Sequence, residues 1–359
     1  TFIVAGGRER TTAGDRATWA LLSAAAAGLS VAVMPDLWQH SIHANAHVVS
    51  VAITSTQLWL LMRWQASDRA GLLFALAFMV GIGVAHHPIT LWGVPAYGIF
   101  ILLHRPRILR EPWTLIGGVV GGVLGLLPWV YFPLRSPNAP FGPTDMGTWA
   151  GFLRHATAQG LRVNLFHFGP TDWPDRWLVF VSLLRLQYGW ILMALILLGL
   201  VWLLVQRTRI GVLWGLFLLG HLGFTLNSVQ DVMAYLLHPF AALGIPLGLG
   251  ILAVVRGLGR RRRWAGIAAV AVLGALLSGR AIHIFARVSL AAWRDADHFV
   301  VGLYDRFKGK GRLTTWLGRV TQNLVSYYFR EQEGRRTLPR AIQRMDLEHQ
   351  ITFKLLYWD

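Results

Sequence analysis

Thirteen histidines stand in 359 residues, and their spacing with a few other polar groups defines the chemistry open to the chain. His40, His43 and His47 follow one another at three and four residues, so one helix face can present all three imidazoles. That spacing is open to a metal site. No glutamate completes an H-E-x-x-H pattern, however, and an interfacial helix bearing imidazoles explains it equally, so no metal is assigned. His86 and His87 precede Pro88, which keeps both rings at a helix end, where they line a site or cap the helix. Asn227, Asp231, Tyr235 and His238 precede Pro239. Asp231 and Tyr235, four apart, share a helix face, and a carboxylate buried there needs a partner. Arg135 follows Pro133-Leu134, and its planar fork suits a phosphate. An arginine snorkelling to the membrane surface would look the same. Arg154-His155 fit either a solvated face or a site wall.

The elements that must position these residues are apolar. Hydrophobic residues make up 54% of the chain and charged ones only 14%, with mean hydropathy +0.47. This composition excludes disorder and argues against an ordinary cytosolic enzyme. Cysteine is absent, which removes disulfides, thiolate metal sites and a cysteine nucleophile. No G-x-x-x-x-G-K-[ST] loop is present, so ATP hydrolysis is not expected, and no cofactor is assigned. Thr1 rather than Met opens the numbering, and a longer native chain is expected.

About nine apolar stretches have membrane-spanning length, near 17–35, 45–63, 70–86, 88–104, 113–132, 186–205, 210–227, 234–255 and 264–286. The 70–104 run divides at His86-His87-Pro88, because two imidazoles and a proline fit poorly at mid-bilayer. Arginine orients the chain. Arg8, Arg10 and Arg16 begin a series that continues with Arg63 and Arg69, with Arg105, Arg107 and Arg110, with Arg207 and Arg209, and with Arg256 and Arg260 to Arg263. These loops alternate with loops poor in basic residues and are expected to face the cytoplasm. The formal charge of +17 is therefore a topology signal, and no nucleic-acid partner is expected. Trp59, Trp64, Trp113, Trp129, Trp190 and Trp264 fall near span ends, where an anchoring belt is expected.

The reading is thus an all-α polytopic membrane domain over 1–286 and an extracytoplasmic tail domain over 287–359. A long, proline-rich outer loop over 133–185 contains an amphipathic stretch near 148–166, and loops of that length are usually functional. In the tail, 312–316 reads as a strand and 318–333 as an amphipathic helix, a small α/β appendage. Gly117-Gly118, Gly121-Gly122 and Gly125 form a stripe suited to close helix packing.

Leu37-Trp38-Gln39, Gly81 to Pro88, Tyr131 to Arg135, Phe152 to His155 and Asn227 to Pro239 occur in an order that resembles the bacterial branch of the protein O-mannosyltransferase-like membrane proteins. Leu313 to Arg336 resembles the region after that family's last helix. The resemblance spans roughly 17–340. It implies a C-type glycosyltransferase (GT-C) fold in the bacterial inner membrane, and a polyprenyl-phosphate sugar, mannose-like, transferred on the outer face to a protein hydroxyl or a glycan. It also implies eleven or more spans and an acidic first outer loop carrying the base. The first two helices and that loop are expected to be missing from the sequence as given, and Asn45 and His47 stand where the family has an acidic and an aromatic residue. No catalytic residue is assigned, and Asp36 is a poor substitute for the base.

The leading expectation is a membrane glycosyltransferase with Arg135 at the lipid phosphate and His86, His87, Asp231, Tyr235, Arg154 and His155 around the substrates. The bilayer, a lipid-linked sugar donor and an acceptor are its partners. The alternative is a non-catalytic membrane subunit of a larger complex on the same fold. A transporter is disfavoured, since no span shows paired central charges or an inverted repeat.

Overall fold

The computed structural model describes residues 13–42, 45–138, 145–229 and 232–288. His43, Asp231 and the tail with its expected strand and helix lie outside the described residues. Among the described residues all regular structure is helical.

Ala13–Ala32 (α1) bends by 60° into the short helix Pro35–Ser41 (α2). Ala46–Ser67 (α3) follows, capped by the Asn45 side chain, which accepts from the His47 N–H at 2.8 Å. Ala70–His86 (α4) ends at the expected His87-Pro88 break. A 3₁₀ stretch over Pro88–Gly93 then leads into Val94–His104 (α5). Pro112–Gly125 (α6) runs through another 3₁₀ turn into Tyr131–Arg135 (α7). The segment expected as the outer loop, 133–185, contains Trp149–Ala156 (α8), and within it, at Trp173, starts the 34-residue helix Trp173–Gln206 (α9). Thr208–Asn227 (α10), Val232–Ala242 (α11), Gly244–Arg261 (α12) and Arg263–Val288 (α13) complete the described chain.

Four helical segments are long and apolar enough to cross a membrane: Pro112–Asn138, Trp173–Gln206, Thr208–Asn227 and Trp264–Phe285. The number rises to six if α1 with α2, and α11 with α12, each count as one bent span. The apolar helices mark a membrane protein. The sequence expectation of about nine spans exceeds this count for identifiable reasons. α3 carries Ser50, Thr54, Ser55, Thr56 and Gln57 along its length. α4 has only 17 residues, and α5 only 11 after its 3₁₀ start. Three of these groups, Ser50, Thr54 and Gln57, turn inward: Gln57 is fully buried, donates to the Met79 carbonyl at 2.9 Å and accepts from the Tyr97 hydroxyl at 3.2 Å.

Two buried clusters organise the bundle. One joins α1, α9, α11, α12 and α13 around Met34, Tyr188, Leu236, Phe240 and Leu247. The other joins α3, α4, α5 and α10 around Leu61, Trp64, Phe100, Leu213 and Trp214. Trp64 is therefore not a surface anchor. It is wholly buried, with the His104 ring at its edge, whereas Trp59, Trp113, Trp190 and Trp264 are all more than half exposed.

Candidate functional site

The polar groups near one end of the bundle converge because consecutive helices run in opposite directions. α3 starts and α4 ends there, and His86 Nε2–H donates to the Ala46 carbonyl at 2.9 Å, fastening the two helix ends. His87 is held in extended backbone between α4 and the 3₁₀ stretch. Its Nδ1 accepts from the Ile89 N–H at 3.2 Å, and its carbonyl accepts from the Thr90 hydroxyl at 3.1 Å. The ring is thereby fixed with Nε2 carrying the proton in the neutral form. Burial, with the neighbouring His86 adding to it, lowers the His87 pKa to about 4, so the ring is a neutral donor at ordinary pH.

His47, from the first turn of α3, lies 4.7 Å from His87 and 4.5 Å from Tyr235 of α11, measured between ring centres. Tyr235 and His87 are 5.5 Å apart. A second tier lies alongside. His221 of α10 and His238 of α11 stack 5.6 Å apart with rings 17° from parallel, both essentially inaccessible. His221 Nδ1–H donates to the Phe217 carbonyl at 3.0 Å. His221 Nε2 and both ring nitrogens of His238 have no hydrogen-bond partner among the described residues. Buried polar atoms are satisfied in most proteins, so this grouping points to a ligand or to water.

An aromatic wall adjoins the histidines. Trp92 stacks on Phe224 at 4.6 Å, Phe166 meets both edge-on, and Phe224 lies 6.1 Å from Tyr235. Phe166 has φ +50°, a strained backbone for a bulky residue. Neighbouring bonds over-determine it: Phe166 N–H to Ser228 Oγ at 3.3 Å, Phe168 N–H to Asn227 O at 3.1 Å, and Val229 N–H to Asn164 O at 2.9 Å.

Of the residues expected from sequence, His87 and Tyr235 thus meet, and His86 stands beside them, bonded to the Ala46 carbonyl. Arg135, Arg154 and His155 form a separate group. Arg135 is exposed, and its Nη1 donates to the Asn138 carbonyl at 3.4 Å. Arg154 pairs with Asp145, and His155 packs edge-on against Phe132 at 4.9 Å. The contacts described here do not join the two groups. Among the described residues no three His, Asp or Glu side chains are placed to hold a metal ion. Sequence reading gives His47 a place in the His40-His43-His47 series and at a position where the resembled family has an aromatic, puts His221 in the outer half of its span without assigning it to the site, and passes over Trp92, Phe166 and Phe224. The available signal is a histidine in the apolar run of α10, four residues from another aromatic at Phe217.

Residues 3–109, under a third of the chain, match the family model of the protein O-mannosyl-transferase TMEM260 N-terminal domain. No curated protein and no solved structure gives a significant match. The matched segment contains α3, α4 and the His86-His87 break, so the half of the candidate site built on these elements falls within a stretch similar to a mannosyltransferase family, and the match points to a glycosyltransferase.

Proposed function

We propose that this chain is a GT-C-type membrane glycosyltransferase that binds a polyprenyl-phosphate sugar, mannose-like, and transfers the sugar to a protein hydroxyl or a glycan on the outer face of a bacterial inner membrane. The observation that carries this reading is the meeting of His47, His87, Tyr235, His221 and His238 beside an aromatic wall, with three buried imidazole nitrogens unsatisfied among the described residues. The family match over 3–109 adds to it. Imidazoles and a phenol can both donate and accept hydrogen bonds, as recognition of sugar hydroxyls requires. Phe166, which is exposed, and the half-buried Trp92, backed by the buried Phe224, offer apolar surface to a sugar ring or a prenyl chain. The cluster as described holds no carboxylate, so we assign it substrate binding and not removal of the acceptor proton.

Arg135 is our assignment for the departing lipid phosphate, supported by its exposure at the end of Tyr131–Arg135 with no carboxylate paired to it among the described residues. As the sugar–phosphate bond breaks, negative charge grows on the phosphate oxygens, and a preorganised donor aimed at them is worth roughly 3–4 kcal/mol, or about 10²–10³ in rate. Arg154, His155 and Asp231 are assigned to the walls of the same outward-facing site.

The test is transfer from radiolabelled lipid-linked donor in membranes carrying the native full-length protein, with expression matched. Arg135→Ala should cut the rate about 10²–10³-fold. Arg135→Lys should restore part of it, because an ammonium supplies charge without the planar fork. Equal rates in wild type and Arg135→Ala remove Arg135 from the reaction. Absence of transfer by the wild type, with the protein co-purifying in a stable complex, supports the subunit alternative.

A further inference from the structure

We infer that the break in α9 holds the phosphate of an anionic lipid headgroup, gripped by Arg280 with Arg185 beside it. Different residues from the histidine cluster carry this site, and its test involves no sugar transfer, so it stands or falls apart from the proposed function.

Gly189 interrupts α9 with φ +67° and ψ 167°, a conformation essentially restricted to glycine. The break exposes the carbonyls of Leu186 and Gln187, and both accept from Nη2 of Arg280 on α13, the first at 2.6 Å. Capping explains Nη2 but leaves the rest of the guanidinium unused. Nη1 lies 3.6 Å from the position a Cβ on Gly189 would take. It has no hydrogen-bond partner among the described residues, and Nε is buried without one. Arg185, one turn before the break, is exposed, and its guanidinium lies 5.2 Å from the centre of the Trp190 ring. Among the described residues neither arginine pairs with a carboxylate. Cations at membrane depth are costly unless an anion or dipole compensates them, and carbonyls compensate only one nitrogen here.

The surroundings suit a lipid better than a free ion. The break opens on a cleft of about 210 Å³ lined by Tyr188 to Leu192, Leu276, Leu277 and Arg280. Trp190, Ile191 and Leu276 on its rim are 60%, 63% and 50% exposed, an apolar surface against which an acyl chain can lie. Arg280 stands about two turns before the end of α13 and far along that helix from its arginine-rich start. It lies five residues inside the end of the apolar segment Trp264–Phe285, toward the side opposite Arg260–Arg263. Arg280 Nη1 can then take an oxygen of the phosphate, with the charge of Arg185 one turn away on α9 drawing the headgroup in, while the chain lies on Ile191 and Leu276.

Native mass spectrometry of the purified chain, incubated in detergent with phosphatidylglycerol, phosphatidylcholine or inorganic phosphate, tests this. Wild type should retain phosphatidylglycerol more tightly than phosphatidylcholine, and millimolar inorganic phosphate should not displace it. R185Q should weaken retention about five-fold, the effect of one arginine at a membrane surface. R280K should weaken it similarly, since it keeps charge without the fork. If R280Q fails to fold for lack of its capping bonds, R185Q and R280K still decide. Equal retention of phosphatidylglycerol by wild type and R185Q overturns the proposal. Displacement by inorganic phosphate overturns its lipid part, leaving a free-phosphate site.

Discussion

His87 owes its backbone setting to its neighbours in sequence and its ring contacts to residues far along the chain. The proline after it places the ring at a helix end, and α4 does stop at His86. Its partners were not legible: His47 lies 40 residues earlier and Tyr235 148 later, and sequence spacing cannot report a contact made across three helices. Burial of the ring, with His86 beside it, has a consequence in pH. The folded-state pKa of about 4 lies below the ordinary 6.5, so the unfolded chain takes up this proton first as pH falls. The stability that goes with a neutral His87 is complete above pH 6.5 and lost as pH drops toward 4. We expect His87→Gln to flatten that loss by about 1–3 kcal/mol, discounted because the ring is only partly buried. Thermal unfolding in detergent, followed by tryptophan fluorescence between pH 4.5 and 7.5, gives the slope. Parallel curves for wild type and variant would show that His87 does not titrate as described.

At the scale of elements, the glycine stripe of α6 was legible as packing, but only half of it packs. A Cβ on Gly125 would come within 2.2 Å of the Phe78 carbonyl, and one on Gly81 of α4 within 2.2 Å of the Gly122 carbonyl. Gly117 and Gly118 face open space. Stripe periodicity alone does not say where two helices diverge. Gly81→Val should therefore force α4 from α6 and lower the melting temperature sharply, while Gly117→Val should leave it nearly unchanged; equal melting of the two would contradict the described contact. Gly189 was not legible at all. It is one glycine in an apolar run with no proline beside it, and a kink there follows from tertiary contacts that Arg280 supplies from α13. Gly189→Ala should cost about 1–3 kcal/mol from backbone strain, although no side chain crowds the position closer than 3.6 Å. Gly215→Ala, in open space on α10, is the matched control in the same melting series.

Across the whole bundle, two groups of polar contacts lie at opposite ends, and this bears on orientation. Arg105 pairs with Glu111 at 2.8 Å and reaches Asp68 at 3.9 Å, with His104 at 3.7 Å from the same carboxylate. These contacts tie the 63–69 loop to the 105–111 loop, two connections that the arginine pattern assigns to one side. At the other end, His86 bonds Ala46, and Asn164 to Phe168 bond Asn227 to Val229. All of these belong to segments assigned to the opposite side. Arginine bias was legible because it is a property of short loops, whereas span number was not, because α3 buries Ser50, Thr54 and Gln57 in protein contacts that a hydropathy count cannot see. The prediction is that 36–44, 133–185 and 287–359 face the side opposite Arg260–Arg263. The chain has no cysteine, so single introduced cysteines report without background. Ala150→Cys on α8 and Ser326→Cys in the tail should react with a membrane-impermeant maleimide in intact cells. Arg110→Cys, in the loop that Glu111 pins to Asp68 through Arg105, should react only after lysis. The reverse pattern would invert the bundle, placing the histidine cluster on the cytoplasmic side, where a sugar acceptor on the outer face could not reach it. Labelling of Ala150→Cys without Ser326→Cys would keep the bundle's orientation and remove the tail from the outer side.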